Sequence, residues 1–288
     1  MPASGGRSLL ILPLALVLGL FLLWPVLFGF LASFTSYSPF DPHARFIGLS
    51  NYASLMRDVY FVRAFRTIGL FTLVTVPVEL LLGFAAAWLL REPFPARGMM
   101  RVLLLVPWLI SPVAGGVMWR FLYASGSGIL NYALTLFNLP LQPSPLGVSG
   151  HALPAAMIAE IWRTAPLVSF LLVPGLISVP SQMWQQATLE GASVFRQVRH
   201  IGLPWLKPLL LPVALFLTGN ALGTFDGVLM LTGGGPGAET LTPALYSYQR
   251  AFQLNNWSLG AASAWFIVLA TMLLGAGYLL LMSREAHE

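Results

Sequence analysis

The sequence contains no cysteine, which excludes disulfides and thiolate-ligated metal centres. It is almost as poor in charge. Asp, Glu, Lys and Arg make up 9% of its 288 residues, against about 25% in ordinary soluble domains. So few charges cannot coat a water-soluble globule of this size, and a mostly aqueous surface is excluded. The four histidines, His43, His151, His200 and His287, are too dispersed in sequence to suggest a metal cluster. The formal charge of +5 does not point to nucleic acid, because the basic residues are scattered singly and form no basic run or helix face. No catalytic triad, carboxylate pair or metal-ligand spacing stands out, and there is no Walker sequence. The glycine-rich residues 232–237 lack the Gly-Lys-[Ser/Thr] ending of a phosphate-cradling loop and read as a turn-rich loop.

What the chain has in abundance is apolar length. Its residues are 57% hydrophobic, and six stretches reach the roughly 20 residues that a membrane helix needs. They are 9–34, 64–90, 102–122, 152–179, 205–231 and 259–282. Strand alternation is absent and the stretches far exceed barrel strands, so the fold class is all-α, a polytopic membrane protein of about six transmembrane helices. The whole of 1–288 reads as a single transmembrane domain. The first stretch is too long for a signal-peptide core and reads as a retained span.

With both termini on the cytoplasmic side, the inner segments are 1–8, 91–101, 180–204 and 283–288. They place Arg7, Arg91, Arg97, Arg101, Arg196, Arg199, Arg284 and the adjacent Lys207 inside, and leave Arg45, Arg57, Arg63, Arg66 and Arg250 outside. The excess favours this orientation under the positive-inside rule. Prolines 13, 25, 77, 107, 112, 166, 174 and 212 fall within spans, where they either kink the helix or are simply absorbed.

The inner segment 181–204 carries the most pattern. Good helix formers precede Gly191, and Val194, Phe195, Val198 and Ile201 follow it as an apolar stripe of helical spacing. Gly191 permits a sharp turn between two short helices, or close approach by another chain. Pro204 marks a boundary before the next span. Such a two-helix element suits docking into a partner's groove, and equally an interfacial helix whose Arg196 and Arg199 meet lipid phosphates.

Within the spans the charged residues are Glu79, Arg120, Glu160, Arg163 and Asp226. Charges are costly in hydrocarbon, so these face the bundle interior or a watery path. Glu160 and Arg163, three apart on one helix face, can pair. Trp108, Trp162, Asn220 and Phe225 offer stacking surface and hydrogen bonds suited to a polyhydroxylated substrate, and core packing accounts for the aromatics equally well.

The 181–208 stretch resembles the EAA motif of bacterial ABC-importer permeases, at Ala187, Glu190, Gly191, Ala192, Ile201, Leu203, Pro204 and Pro208. Further blocks extend the likeness over nearly the whole chain. They are Phe46-Ile47-Gly48-Leu49-Ser50-Asn51-Tyr52, Phe94-Pro95-Ala96-Arg97-Gly98, Val106-Pro107-Trp108-Leu109-Ile110-Ser111-Pro112 and Leu231-Thr232-Gly233-Gly234-Gly235-Pro236. Together they are similar to the sugar-importer branch, the maltose and glycerol-3-phosphate type of inner-membrane subunit.

The resemblance implies a type I importer permease fold and alternating access for a sugar, oligosaccharide, polyol or glycerol phosphate. It implies a coupling helix over 181–204, in which Gln185, Ala187, Glu190, Gly191, Ala192, Phe195, Ile201, Leu203 and Pro204 meet the ATPase. The implied partners are a second, homologous permease, two ATPase subunits or domains that bind ATP and Mg, an extracytoplasmic solute-binding protein and the lipid bilayer. This chain itself would bind no cofactor and would be a pore subunit rather than an enzyme. The family's leading Glu falls on Gln185 here, which offers only a neutral hydrogen bond where the Glu can form an ion pair. The alternative is a secondary transporter or channel acting alone.

Overall fold

The computed structural model describes residues 13, 16–41, 43–126, 128–139 and 143–285. Arg7, the beginning of the 9–34 span and residues 286–288 lie outside the described residues. Among the described residues the fold is all-helical, with isolated bridges in place of strands. We number the helices α1 (Leu16–Ala32), α2 (Ser50–Arg57), α3 (Val59–Arg91), α4 (Arg97–Leu109), α5 (Pro112–Leu122), α6 (Ile129–Thr135), α7 (Ala152–Ile177), α8 (Ser181–Leu189), α9 (Val194–Gln197), α10 (Leu203–Leu222), α11 (Asp226–Leu231), α12 (Pro243–Tyr248) and α13 (Trp257–Glu285).

Among the described residues, four continuous helices are long and apolar enough to cross a membrane: α3, α7, the run Val194–Leu222 and Trp257–Leu280 of α13. The α4–α5 pair passes the same test as one span bent by 91°. The described part of the first apolar helix, Leu16–Ala32, is shorter.

Two expected spans prove discontinuous. The 102–122 stretch breaks at Ile110 and Ser111, both extended. Pro112 cannot donate into the helix and disfavours helical backbone at Ser111. Ser111 instead becomes the N-cap of α5, its Oγ accepting from the Ala114 N–H at 3.3 Å. The 205–231 stretch breaks at 223–225, between α10 and α11. Pro77, Pro166, Pro174, Pro208 and Pro212 by contrast sit inside helices.

The boundary expected at Pro204 is also corrected. The chain passes from α9 through a π turn, Val198–Gly202, straight into α10. The wider turn shifts the hydrogen-bond ladder just where Pro204 has no N–H to give. The same π turn interrupts the apolar stripe expected through Val198 and Ile201.

The chain divides into two compact units. The first comprises Met1–Val62 and Pro243–Leu269. In it, buried Asn51 donates to the carbonyls of Ser33 and Thr35 at 2.8 and 2.9 Å, tying α2 to the chain leaving α1. Phe30 and Trp265 meet edge to face at 4.8 Å, as do Phe61 and Phe266 at 5.3 Å. Asp58, at the start of α3, accepts from the N–H groups of Tyr60 and Phe61, the Tyr246 hydroxyl and the Arg250 guanidinium.

The second unit comprises Arg63–Thr242 and Ala270–Glu288. Small residues set its helix contacts, as expected where lipid removes the hydrophobic drive and close packing must hold helices together. A Cβ on Gly83 of α3 would come within 2.4 Å of Val168 on α7, and one on Gly116 of α5 within 2.6 Å of the Gly227 carbonyl on α11. Val168, Leu172 and Leu176 of α7 and Leu206 and Leu217 of α10 form the fully buried centre. The 232–239 loop is fastened to α3, with Arg63 Nη1 donating to the Gly237 carbonyl at 2.7 Å and Thr67 Oγ1 to that of Glu239 at 3.2 Å.

Candidate functional site

Two places in the second unit concentrate polar chemistry or unpartnered surface. The first is a polar cluster inside the helices. Arg163 grips Glu160 with two donors, Nη2 to Oε1 at 2.6 Å and Nε to Oε2 at 3.3 Å. This fork is the pairing expected from their spacing, and both side chains are largely buried. Thr164 Oγ1 adds a hydrogen bond to Glu160 Oε1 at 3.0 Å. Asn220, reaching from α10, adds another at 3.4 Å.

Glu79 on α3 is 2% exposed and lies within electrostatic reach of both Glu160 and Arg163. Trp162 stands edge-on to Trp119 at 5.7 Å. The pair borders, with Glu160, Arg163, Thr224 and Gly227, a cleft of about 30 Å³ of water-accessible volume. That holds one or two waters and no sugar ring.

Of the pathway residues expected from the sequence, Glu160, Arg163 and Asn220 come together, and Trp162 lines the same cleft. Trp108 on α4, Phe225 at the α10–α11 break and Asp226 at the first position of α11 do not line it. Thr164 and Trp119 join the site without having been expected. Their only sequence signal was a position one helical turn from Glu160 and an aromatic one residue before Arg120.

The second place is the α8–turn–α9 element. Helix α8 ends in a Schellman motif, in which the Gly191 N–H bonds the Thr188 carbonyl at 3.0 Å and the Ala192 N–H bonds the Ala187 carbonyl at 2.9 Å. That geometry puts Gly191 at φ +74°, where a Cβ is strained. The space around it is open, so within this chain Gly191 serves the turn. Ser193 caps α9, its Oγ accepting from the Arg196 N–H at 3.4 Å. Gln197 then closes the element, donating to the Ala192 carbonyl at 3.2 Å and to Thr188 Oγ1 at 3.4 Å.

Gln185 and Glu190 are exposed, and Glu190 accepts from Gln186 Nε2 at 3.2 Å. Ala187, Ala192 and Ile201 are half-buried, while Leu203 and Pro204 are exposed at the start of α10. Phe195 is 73% exposed and Val194 62%, and Leu189 reaches 89%. Together they give the element an apolar knuckle that the other described residues leave uncovered. Leu189, Ser193 and Gln197 were not among the expected coupling residues. The capping pattern of Ser193 was readable in the sequence, but the long-range hydrogen bonds of Gln197 were not.

Residues 79–284 match the family model described as binding-protein-dependent transport system inner membrane component. The chain is 33% identical over 259 residues to the trehalose/maltose transport system permease protein MalF of Thermococcus litoralis, covering 88% of this chain and 85% of that one. It is 32% identical over 280 residues to the sulfoquinovosyl glycerol transport system permease protein SmoG of Agrobacterium fabrum, covering 94% and 88%. Its fold matches a chain of a bacterial ABC transporter involved in the import of the acidic polysaccharide alginate. The TM-score is 0.82 at 18% identity, over 96% of this chain and 95% of that one.

Proposed function

The chain belongs to the inner-membrane components of binding-protein-dependent transport systems, and from that premise we propose that it is the permease subunit of an ABC importer for a sugar or sugar-like solute. The solute class follows from relatives named for trehalose, maltose and sulfoquinovosyl glycerol. In this reading the chain pairs with a second, homologous permease and receives solute from an extracytoplasmic binding protein. Two ATPase subunits or domains bind ATP and Mg, and this chain binds neither. Both termini face the cytoplasm.

The observation that carries the ATP-driven part is the apolar knuckle of Leu189, Val194 and Phe195, held rigid by the capped turn. An exposed apolar patch on a fixed two-helix element is a docking surface. Its apolar fit compensates for the neutral Gln185, and Gln185, Ala187, Glu190, Gly191 and Ala192 surround the joint. The Glu160–Arg163–Asn220 cluster borders the translocation path. Its small cleft is consistent with a path completed by the second permease rather than a site enclosed in one chain.

Binding energy from ATP-driven closure of the ATPases would move the knuckle and, through the helices behind it, switch the path between its two openings. The test is uptake by the reconstituted complex against a panel of mono- and oligosaccharides, polyols and glycerol phosphate. Uptake of one class should require ATP and loaded binding protein. Uptake driven by an ion gradient without ATP would reject the proposal.

A further inference from the structure

We infer that Arg91 is a positioning residue of the coupling step, clamping the two-helix element to the end of α3 so that displacement of the element moves that helix too. This rests on the docking role proposed for the element. Arg91 is the last residue of α3, and its guanidinium carbon lies 3.5 Å from the centroid of the Trp88 ring and 4.2 Å from that of Trp184. Trp88 belongs to α3, while Trp184 belongs to α8. The rings meet edge to face at 5.5 Å and 87°, so one planar cation bridges the two helices.

The bridge is sheltered, with the Arg91 side chain only 12% exposed. Its Nε lies 3.2 Å from Glu92 Oε1, but Nε and Nη1 are buried without a geometrically sound hydrogen bond. The aromatic faces therefore add to the Glu92 ion pair in holding this cation. Cation–π contacts strengthen when desolvated, and a guanidinium can stack on rings where a lysine ammonium acts as a point charge.

The far end of the element meets the same tryptophan. A Cβ on Gly202 would come within 2.9 Å of Trp88 Cζ3. The element is thus seated on Trp88 at its first helix and at its closing π turn, while Leu189, Val194 and Phe195 stay exposed. Farther along α3, Gly83 packs against Val168 of α7, and Glu79 lies within electrostatic reach of Glu160 and Arg163. Contacts therefore run from Trp184 of α8, through Arg91 and Trp88, along α3 to Val168 of α7, the helix that carries Glu160 and Arg163. Such a chain transmits a displacement only if its links hold.

The experiment uses the reconstituted transporter with its ATPases and binding protein, and reads solute imported per ATP hydrolysed. Arg91→Gln should leave the ATPases bound and hydrolysing, while the ratio falls at least about fivefold. Arg91→Lys should recover part of the loss, since the charge returns without the planar stack. Trp184→Leu should match Arg91→Gln, Trp184→Phe should stay near wild type, and Arg91→Gln with Trp184→Leu should be no worse than either alone.

Leu189→Asp on the outward face tests the docking role separately. It should release the ATPases, and if they remain bound the docking role is wrong whatever Arg91 does. An unchanged ratio in Arg91→Gln overturns the inference. So does a parallel fall in hydrolysis and import. Loss of assembly in both Arg91→Gln and Trp184→Leu also overturns it, because the clamp would then be only a structural anchor.

Discussion

Asp58 illustrates how one side chain is tuned by its neighbours. Burial alone would raise its pKa, but the Tyr246 hydroxyl, the N–H groups of Tyr60 and Phe61 and the Arg250 guanidinium outweigh it and hold the carboxyl below 3.8. The folded-state value lies below the unfolded one, so its contribution to stability is present above the unfolded pKa and is lost as pH falls through the folded value. Asp58→Asn should lower the melting temperature at neutral pH, and the difference from wild type should shrink on acidification below 3.8.

Glu160 and Arg163 pose the same question inside the bilayer. Removing one partner leaves an uncompensated buried charge, a loss of about 3–5 kcal/mol. Replacing both leaves no such charge. Glu160→Gln and Arg163→Gln should each impair uptake and stability, and the double variant should fall short of their sum by about 1–3 kcal/mol. Additive losses in a double-mutant cycle would show that the 2.6 Å contact carries no coupling.

At the scale of elements, the α8–turn–α9 unit was the most legible part of the chain. Helix formers, a lone glycine and Ser193 prescribe helix, left-handed turn and N-cap through local geometry alone. The π turn was not legible. It lies directly before Pro204, where local propensity reads a helix boundary instead.

Gly191 provides the sharper test, since asparagine accepts a left-handed backbone while filling the open space around it. Gly191→Asn should keep the turn but cut ATPase binding and uptake by about threefold or more. Gly191→Val should lose both turn and uptake, given a cost of about 1–2 kcal/mol for a non-glycine residue at positive φ. Normal uptake in Gly191→Asn would mean that Gly191 serves the turn and not the docking face.

For the whole molecule, the outstanding quantity is orientation. The proposed reading has the α8–turn–α9 element inside and the 232–239 loop outside, the orientation that the positive-inside rule favours. Because the chain has no cysteine, single probes can be introduced cleanly. Ser193→Cys should react with an impermeant thiol reagent only from the cytoplasmic side, and Ala238→Cys only from the outer side. The reverse pattern would invert the proposed topology.

The sequence by itself determined the class of this protein. Apolar runs too long for strands and charges too few for a soluble surface leave helices in a bilayer as the stable solution. Its motif blocks carried the family, and the three-residue spacing of Glu160 and Arg163 carried their pairing, because each is a local or periodic property. Only the tertiary structure decided that Asn220 and Glu79 approach that pair, that Trp108, Phe225 and Asp226 lie outside its cleft, and that Arg91 sits between two tryptophans. Those relations depend on how close α3, α7 and α10 can approach, which glycines such as Gly83 and Gly175 set through contacts between helices far apart in the chain.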